Sequence, residues 1–203
     1  MQPLPDLPAT WPLCVRSLRD GLMNCDVANL LDVVLQDWNA DEIQKIMATW
    51  ELQAREDQWP PVHAQSGHPW TVWLVMGGRG AGKTRTGAEW IRAIALGEPQ
   101  LAIEPVGRIA LIGETAAAVR DVMIEGVSGL LSVHGDDERP LWEPSRRRLS
   151  WRNGAIAQVF SAEDPESLRG PQFEFAWLDE LAKWRYAQAA FDMLQFGLRL
   201  GHH

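Results

Sequence analysis

The sequence contains little cysteine and no long hydrophobic run. Its 203 residues include only two cysteines, Cys14 and Cys25, whose spacing is typical of neither a metal site nor a disulfide framework, and this predicts a reducing environment. The first 13 residues include four prolines and no basic residue, and no apolar run is long enough to cross a bilayer. The sequence therefore predicts neither a secretory leader nor a membrane anchor, and we expect a cytoplasmic protein.

Positive charge is also limited. The formal net charge is −8 at pH 7, so contact with nucleic acid would require a local basic patch or another subunit. Lysine is especially rare, and the chain has only three: Lys45, Lys83 and Lys183. A lysine inside a glycine-rich loop is therefore a stronger signal here than in a lysine-rich protein. Three histidines lack partners at metal-ligand spacing and are interpreted as surface or structural residues: His63, His68 and His134.

The remaining composition is sufficient for a core. With 46% hydrophobic residues, the chain can bury one sizeable domain. We expect a flexible proline-rich arm at residues 1–25 and a small helical segment at 26–60, where apolar residues recur at helical spacing. Residues 61–203 are expected to form an α/β domain.

Apolar runs and glycines alternate along that domain. Residues 71–76, TVWLVM, predict a buried strand before a glycine loop, and residues 84–96 predict the helix after it. Two more strands are predicted at 108–113 and 175–178, two more helices at 115–125 and about 186–200, and a hairpin with a two-residue turn at Asn153-Gly154. This order predicts a mostly parallel central sheet covered on both faces, with ligands at the carboxyl ends of the strands.

The stretch MGGRGAGKTRTG, residues 76–87, contains the phosphate-loop pattern GxxxxGK[ST]. In such a loop the backbone N–H groups converge on the β-phosphate at the start of the following helix. The lysine lies beside the β and γ oxygens, and the hydroxyl residue binds Mg²⁺. A glycine turn with a purely structural role would need neither the lysine nor the hydroxyl residue. The predicted nucleotide-binding residues of the loop are Gly77, Gly78, Arg79, Gly80, Ala81, Gly82, Lys83 and Thr84.

An acidic pair follows the last predicted strand, in FAWLDE. Asp179 can hold Mg²⁺ through its water shell, and Glu180 can orient and deprotonate the attacking water. Such a pair can also be only a helix cap. The catalytic interpretation gains weight from the glycine loop upstream, because the spacing between them accommodates an intervening strand. An intervening strand and an adjacent glutamate favour a motor-type ATPase of the ASCE class over a kinase. The chain has no NKxD signature of a GTPase.

Four stretches together resemble the large terminase subunit of tailed phages and gene transfer agents, the ATPase that packs DNA into a capsid. They are AREDQWPP, WLVMGGRGAGKTRTGAEWIR, EPSRRRLSWRNGAIAQVFSAEDPESLRG and FAWLDELAKW, and they extend from about Arg55 to the C-terminus. The resemblance implies a P-loop NTPase fold, with ATP as substrate and Mg²⁺ as cofactor. It implies four partners in the cytoplasm of a bacterial host: double-stranded DNA, a small terminase subunit, a portal protein, and further copies in a ring.

The resemblance also implies roles for single residues. Gln58 matches a glutamine that recognises adenine, and Arg79 matches an arginine within the loop. Arg79 is a candidate arginine finger in cis, although it could instead pair with an acidic side chain and stiffen the loop, and a finger from the next protomer would make it dispensable. Lys83 and Thr84 match the loop lysine and hydroxyl. Asp179 and Glu180 match the acidic pair, whereas Arg169 in SLRG has no assigned role.

The sequence also departs from the family pattern. Large terminases continue with a coupling motif and a nuclease domain, and neither is present, so we expect a truncated ATPase domain whose isolated chain is weakly active or inactive. Its missing strand would leave an open apolar sheet edge.

Two other interpretations of the function remain open. A helicase-like motor is the alternative enzyme, and a nucleotide-binding assembly module without turnover is the alternative from another class. Four arginines near the predicted hairpin form either a solvated edge or a contact for DNA phosphates or a neighbouring subunit: Arg146, Arg147, Arg148 and Arg152.

Overall fold

The computed structural model describes residues 49–61, 63–98 and 105–200. These residues fall into two units, Met1–Gly77 and Gly78–His203, and each unit is described by itself. The expected arm at 1–25 and most of the expected helical segment at 26–60 lie outside the described residues.

The first unit has little regular structure in its described part. It contains helix α1, Trp50–Gln53, and a 3₁₀ turn, Glu56–Gln58. The strand predicted at 71–76 is wrong, because no strand is formed there. Alternate apolar side chains of this run are exposed instead: Val72, Leu74 and Met76. A strand is stabilised by hydrogen bonds to a neighbouring strand, and no described residue forms a ladder with this run.

The second unit contains a five-stranded sheet and the remaining helices. Its strands are β1 Arg108–Gly113, β2 Leu141–Glu143, β3 Arg148–Ser150, β4 Ile156–Ser161 and β5 Phe175–Leu178. Its α-helices are α2 Lys83–Leu96, α3 Ala116–Ala118, α4 Leu130–Val133 and α5 Ala187–Gly197, and α3 continues as a π-helix, Val119–Ile124. Short 3₁₀ turns lie at Pro144–Arg146, Pro165–Leu168 and Leu181–Lys183.

The sheet is mixed, with strand order β2-β3-β4-β1-β5. β1 pairs in parallel with β4 and with β5, whereas β2 with β3 and β3 with β4 are antiparallel. The expectation of a mostly parallel sheet therefore holds for three strands and is wrong for the hairpin strands β2 and β3. The predicted hairpin is present, but its turn is longer than two residues. Trp151 N donates to Ala155 O, so three residues form the loop, and Gly154 has the positive φ, 93°, that such loops require.

The core lies on both faces of the sheet, as predicted. Alternate residues of β1 point in opposite directions: Ile109 and Leu111 pack with α2, and Ala110 and Ile112 pack with α5. The parallel strands β1, β4 and β5 are thus covered on both sides. Their carboxyl ends form one edge that is open to polar ligands.

Helix α2 lies very close to β5. A Cβ atom at Gly87 would lie 2.3 Å from the Trp177 ring, so only glycine permits this contact. The contact fixes α2 against β5 four residues after the helix begins. The start of α2 is thereby held in a defined position relative to the strand that carries the acidic pair.

Candidate functional site

The glycine loop curls back at the start of α2. Gly80 and Gly82 have positive φ angles, 74° and 79°, which glycine adopts without strain. Gly82 is the residue before α2, and its carbonyl accepts hydrogen bonds from Thr86 N and Thr86 Oγ1. Lys83 Nζ donates to Gly78 O at 2.9 Å, so the ammonium lies over the loop. The loop thus combines a helix start with a cation directed back across it.

The acidic pair is held at the end of β5. Asp179 N donates to Ile112 O at 2.9 Å, and Trp184 Nε1 donates to Asp179 O at 3.1 Å. The half-buried Asp179 is therefore fixed at the backbone on both sides. Glu180 is exposed and has a left-handed backbone, with φ of 51°, and it begins the turn Leu181–Lys183.

The two carboxyl groups have different electrostatic surroundings. Burial raises the pKa of Asp179, and the neighbouring Glu180 carboxylate raises it further, against the opposing charges of Lys83 and Lys183. A hydrogen bond from Lys183 lowers the pKa of Glu180, and the charges of Lys83 and Arg79 lower it further. The cations of the loop are therefore within electrostatic reach of the acidic pair.

Four of the predicted site residues act on one another electrostatically in the second unit. The charge of Lys83 acts on both Asp179 and Glu180, and the charge of Arg79 acts on Glu180. Thr84 lies in the first turn of α2. Two predicted residues, Gln58 and Gly77, belong to the first unit. Within that unit Gln58 is buried, and its Oε1 accepts a hydrogen bond from Arg55 N at 3.0 Å.

Two further charged residues adjoin the site and were not predicted. Glu114 directly follows β1, the strand beside β5, and Lys183 forms an ion pair with Glu180. The pKa of Lys183 is raised, first by its hydrogen bond to Glu180 and also by the charge of Glu114. The available signal for Glu114 was its place directly after a buried strand, the same place that Asp179 occupies. For Lys183 the signal was the rarity of lysine.

The predicted basic cluster is at the β2–β3 hairpin. Arg148 and Arg146 both form ion pairs with Glu143, at 2.7 and 3.3 Å. Arg147 is exposed at the hairpin turn, and Arg152 is exposed beyond the other end of β3. The four arginines are therefore not one continuous patch.

Arg169 lies on the surface of the second unit. It forms an exposed ion pair with Glu166 at 3.2 Å and lines a cleft of about 250 Å³ together with Phe196 and Arg199. The stretch SLRG begins at the end of a 3₁₀ turn, Pro165–Leu168, and leads toward the next strand, β5.

These features define an α/β protein with a glycine loop facing an acidic pair at the carboxyl edge of a mixed sheet. Residues 74–203 match the family model described as terminase large subunit, T4likevirus-type, N-terminal. Because this match covers well over half of the chain, the protein belongs to that family, and the resemblance found in the sequence is confirmed. No curated protein and no solved structure matched the chain.

Family membership implies a role in phage DNA packaging, with DNA and other components of the packaging complex as partners. Across the part of the chain that the structure describes, no helix combines the length and apolar character needed to cross a membrane.

Proposed function

We propose that this chain is the ATPase motor portion of a large terminase subunit from a phage or gene transfer agent, hydrolysing ATP to drive double-stranded DNA into a capsid. The observation behind the proposal is the Lys83 ammonium over the glycine loop, within electrostatic reach of Asp179 and Glu180. Family membership supports it, because large terminase subunits are generally ATPases.

In this proposal the glycine loop is a P-loop and the sheet belongs to an ASCE-type NTPase. The N–H groups at residues 78–84 bind the phosphates at the start of α2, where the helix dipole favours negative charge. Lys83 leaves Gly78 O and places its charge beside the β and γ oxygens. Gln58 recognises the adenine.

The residues at the strand ends fit Mg²⁺. Burial raises the pKa of Asp179 and the neighbouring Glu180 carboxylate raises it further, and a divalent cation would offset both effects. Mg²⁺ commonly uses one or two protein oxygens, with phosphates and water completing its shell. Asp179 and the Thr84 hydroxyl would supply them, and Mg²⁺ would polarise the phosphate oxygens. Among the described residues, no larger group of potential metal ligands occurs.

Glu180 and Arg79 complete the proposed chemistry. Glu180 orients the attacking water and accepts its proton. Arg79 acts as an arginine finger in cis, neutralising charge on the γ-phosphate. In support, Arg79 forms no ion pair within the described residues, whereas a purely structural arginine in the loop would form one. The charge of Arg79 acts on Glu180 from beyond the distance of an ion pair.

The proposed partners are those of a packaging motor. They are double-stranded DNA, a small terminase subunit, a portal protein and further copies of the chain in a ring.

The test measures nucleotide binding and hydrolysis separately on the chain. Binding of a fluorescent ATP analogue with Mg²⁺ is compared for the unaltered chain, Lys83→Ala and the control Arg152→Ala, which removes an exposed arginine outside the site. We expect Lys83→Ala to weaken binding by about 10- to 100-fold, as loss of a charge-assisted contact to phosphate does. Equal binding by Lys83→Ala and the unaltered chain would reject the phosphate loop.

ATP hydrolysis is then measured with and without double-stranded DNA. Turnover that DNA stimulates supports the motor, whereas tight binding without turnover under either condition would indicate an assembly module. Arg79→Ala should lose turnover while ATP stays bound and the melting temperature is unchanged. A melting temperature that falls together with activity would instead indicate a structural arginine.

A further inference from the structure

A salt bridge between Lys183 and Glu180 lies beside the proposed reaction site. The two residues are joined by the turn Leu181–Lys183, in which Lys183 N donates to Glu180 O at 2.9 Å. This turn returns the lysine side chain to the glutamate three residues earlier. The pair therefore directs the Glu180 carboxylate toward its own turn.

The backbone at this position is fixed. Glu180 has a positive φ, which a non-glycine residue maintains only where the surrounding structure requires it. Its neighbour Asp179 is held by hydrogen bonds from its N–H to Ile112 O and from Trp184 Nε1 to its C=O. The direction of the Glu180 carboxylate consequently depends on which cations it pairs with.

The pair with Lys183 is easily broken. The Lys183 side chain is 62% exposed and the Glu180 side chain is 47% exposed. Water and salt screen ion pairs at this exposure, so they contribute little and can exchange partners.

Both members of the pair have an alternative partner nearby. The Glu114 carboxylate, after the neighbouring strand β1, attracts the Lys183 ammonium, and Arg79 repels it. Arg79 and Lys83 both attract Glu180. Lys183 is thus attracted by two carboxylates, and Glu180 is attracted by the cation of its own turn and by the cations of the loop.

We propose that Lys183 is a positioning residue that holds the Glu180 carboxylate in a resting orientation and releases it by transferring its ammonium to Glu114. The proposal rests on the proposed function, in which Glu180 orients the attacking water. A carboxylate turned toward Lys183 cannot hold water in line with the phosphate, so the exchange precedes each turnover.

Steady-state kinetics test the restraint. Lys183→Met should raise kcat for DNA-independent hydrolysis by up to about fivefold, the largest shift expected from an exposed pair, with KM for ATP unchanged. Lys183→Arg keeps the pair and should behave as the unaltered chain. Glu114→Gln should lower kcat, because Lys183 then stays on Glu180. The matched control Glu163→Gln removes an exposed carboxylate just after β4, and its kcat should not change.

Lysine NMR tests the exchange without turnover. With ¹³Cε-labelled lysine the chain gives three signals, from Lys45, Lys83 and Lys183. Without nucleotide, Glu180→Gln should move the Lys183 signal and Glu114→Gln should leave it in place. With Mg²⁺ and a non-hydrolysable ATP analogue bound, Glu114→Gln should move the Lys183 signal and Glu180→Gln should leave it in place.

The outcomes separate this proposal from the proposed function. A Lys183→Met variant with lower or unchanged kcat overturns the restraint. A Lys183 signal that does not change when nucleotide binds, or that is never altered by Glu114→Gln, overturns the exchange but does not contradict the proposed ATPase function. Failure to bind nucleotide at all rejects the proposed function, and the exchange with it.

Discussion

The strand-end site and the β2–β3 hairpin are both rich in charge, but their charges are matched differently. At the hairpin, Glu143 pairs with two arginines on its own β-ribbon, Arg146 and Arg148. At the strand ends, Asp179 is half-buried beside a second carboxylate, and its pKa is raised by both effects. Glu180 is itself paired with Lys183, but a carboxyl group such as Asp179, whose pKa is raised by burial and a like charge, is more typical of a chemical site than a carboxylate matched by arginines. The comparison favours the strand ends as the reactive region.

The most severe test of this contrast removes one carboxylate from each region. Glu180→Gln should lower kcat for ATP hydrolysis by about 10²- to 10⁴-fold, as loss of a general base does. Glu143→Gln should leave kcat unchanged, because the partners of its carboxylate are residues of the hairpin, Arg146, Arg148 and Ser150. The measurements are steady-state hydrolysis and analogue binding, which should be retained in both variants. Equal losses of kcat in the two variants would remove the distinction between the regions.

The core contains a third case, a buried histidine whose two ring nitrogens are both hydrogen-bonded and whose protonation should still affect folding stability. His134 is 3% exposed, its Nε2 accepts from Trp151 Nε1 at 2.9 Å, and its Nδ1 therefore donates to Leu130 O at 2.6 Å. Its interpretation as a structural histidine is confirmed. Burial, which disfavours the charged ring, lowers its pKa from 6.5 to about 4.

This histidine should make folding stability fall as the solution becomes acidic. Between pH 6.5 and 4 the unfolded chain takes up a proton at His134 and the folded chain does not, so the free energy of unfolding should fall by about 3 kcal/mol over that window. Above pH 6.5 this contribution is complete. Urea unfolding at several pH values measures it, and His134→Gln should flatten this part of the profile. The control His68→Gln changes an exposed histidine, and a profile flattened equally by both would rule out His134 as the cause.

The close contact between α2 and β5 should affect the free energy of unfolding almost as much as His134 does. Gly87→Ala forces a methyl group into the Trp177 ring and should cost about 1–3 kcal/mol of unfolding free energy, as overpacking does. Trp177→Leu makes room, so the double variant should be more stable than the two single effects predict. A double-mutant cycle in urea measures that coupling. Simple additivity would show that the close contact does not strain the fold.

Sequence patterns predicted elements whose boundaries are set locally. The strands at 108–113 and 175–178 and the helix after the loop are confirmed, because each is a long or sharply bounded apolar pattern next to glycine or an acidic pair. The run at 71–76 has the same character and forms no strand. An apolar run specifies only a buried segment, and whether it becomes a strand depends on a partner strand elsewhere in the chain.

Sequence patterns also indicated only part of the candidate site. The loop and the acidic pair could be found because each is a contiguous motif. Glu114 and Lys183 could not, because their positions depend on β1 lying beside β5 and on a turn that returns Lys183 to Glu180. The number of antiparallel strands was also missed, since a three-residue strand such as Leu141–Glu143 is too short to show alternation.

The smallest expected effect distinguishes matched from unmatched arginines within the hairpin. Arg147 is exposed and forms no ion pair with any described residue, whereas the charge of the adjacent Arg146 is offset by Glu143. If the hairpin contacts DNA, Arg147→Gln should reduce the salt slope of double-stranded DNA binding by about one, the effect of one lost phosphate contact. Arg146→Gln should reduce it less, and Glu143 would still be bonded to Arg148 in that variant. Titrations at several salt concentrations give the slopes. Unchanged slopes in both variants would identify the hairpin as a solvated edge and restrict the charge that acts on partners to the strand ends.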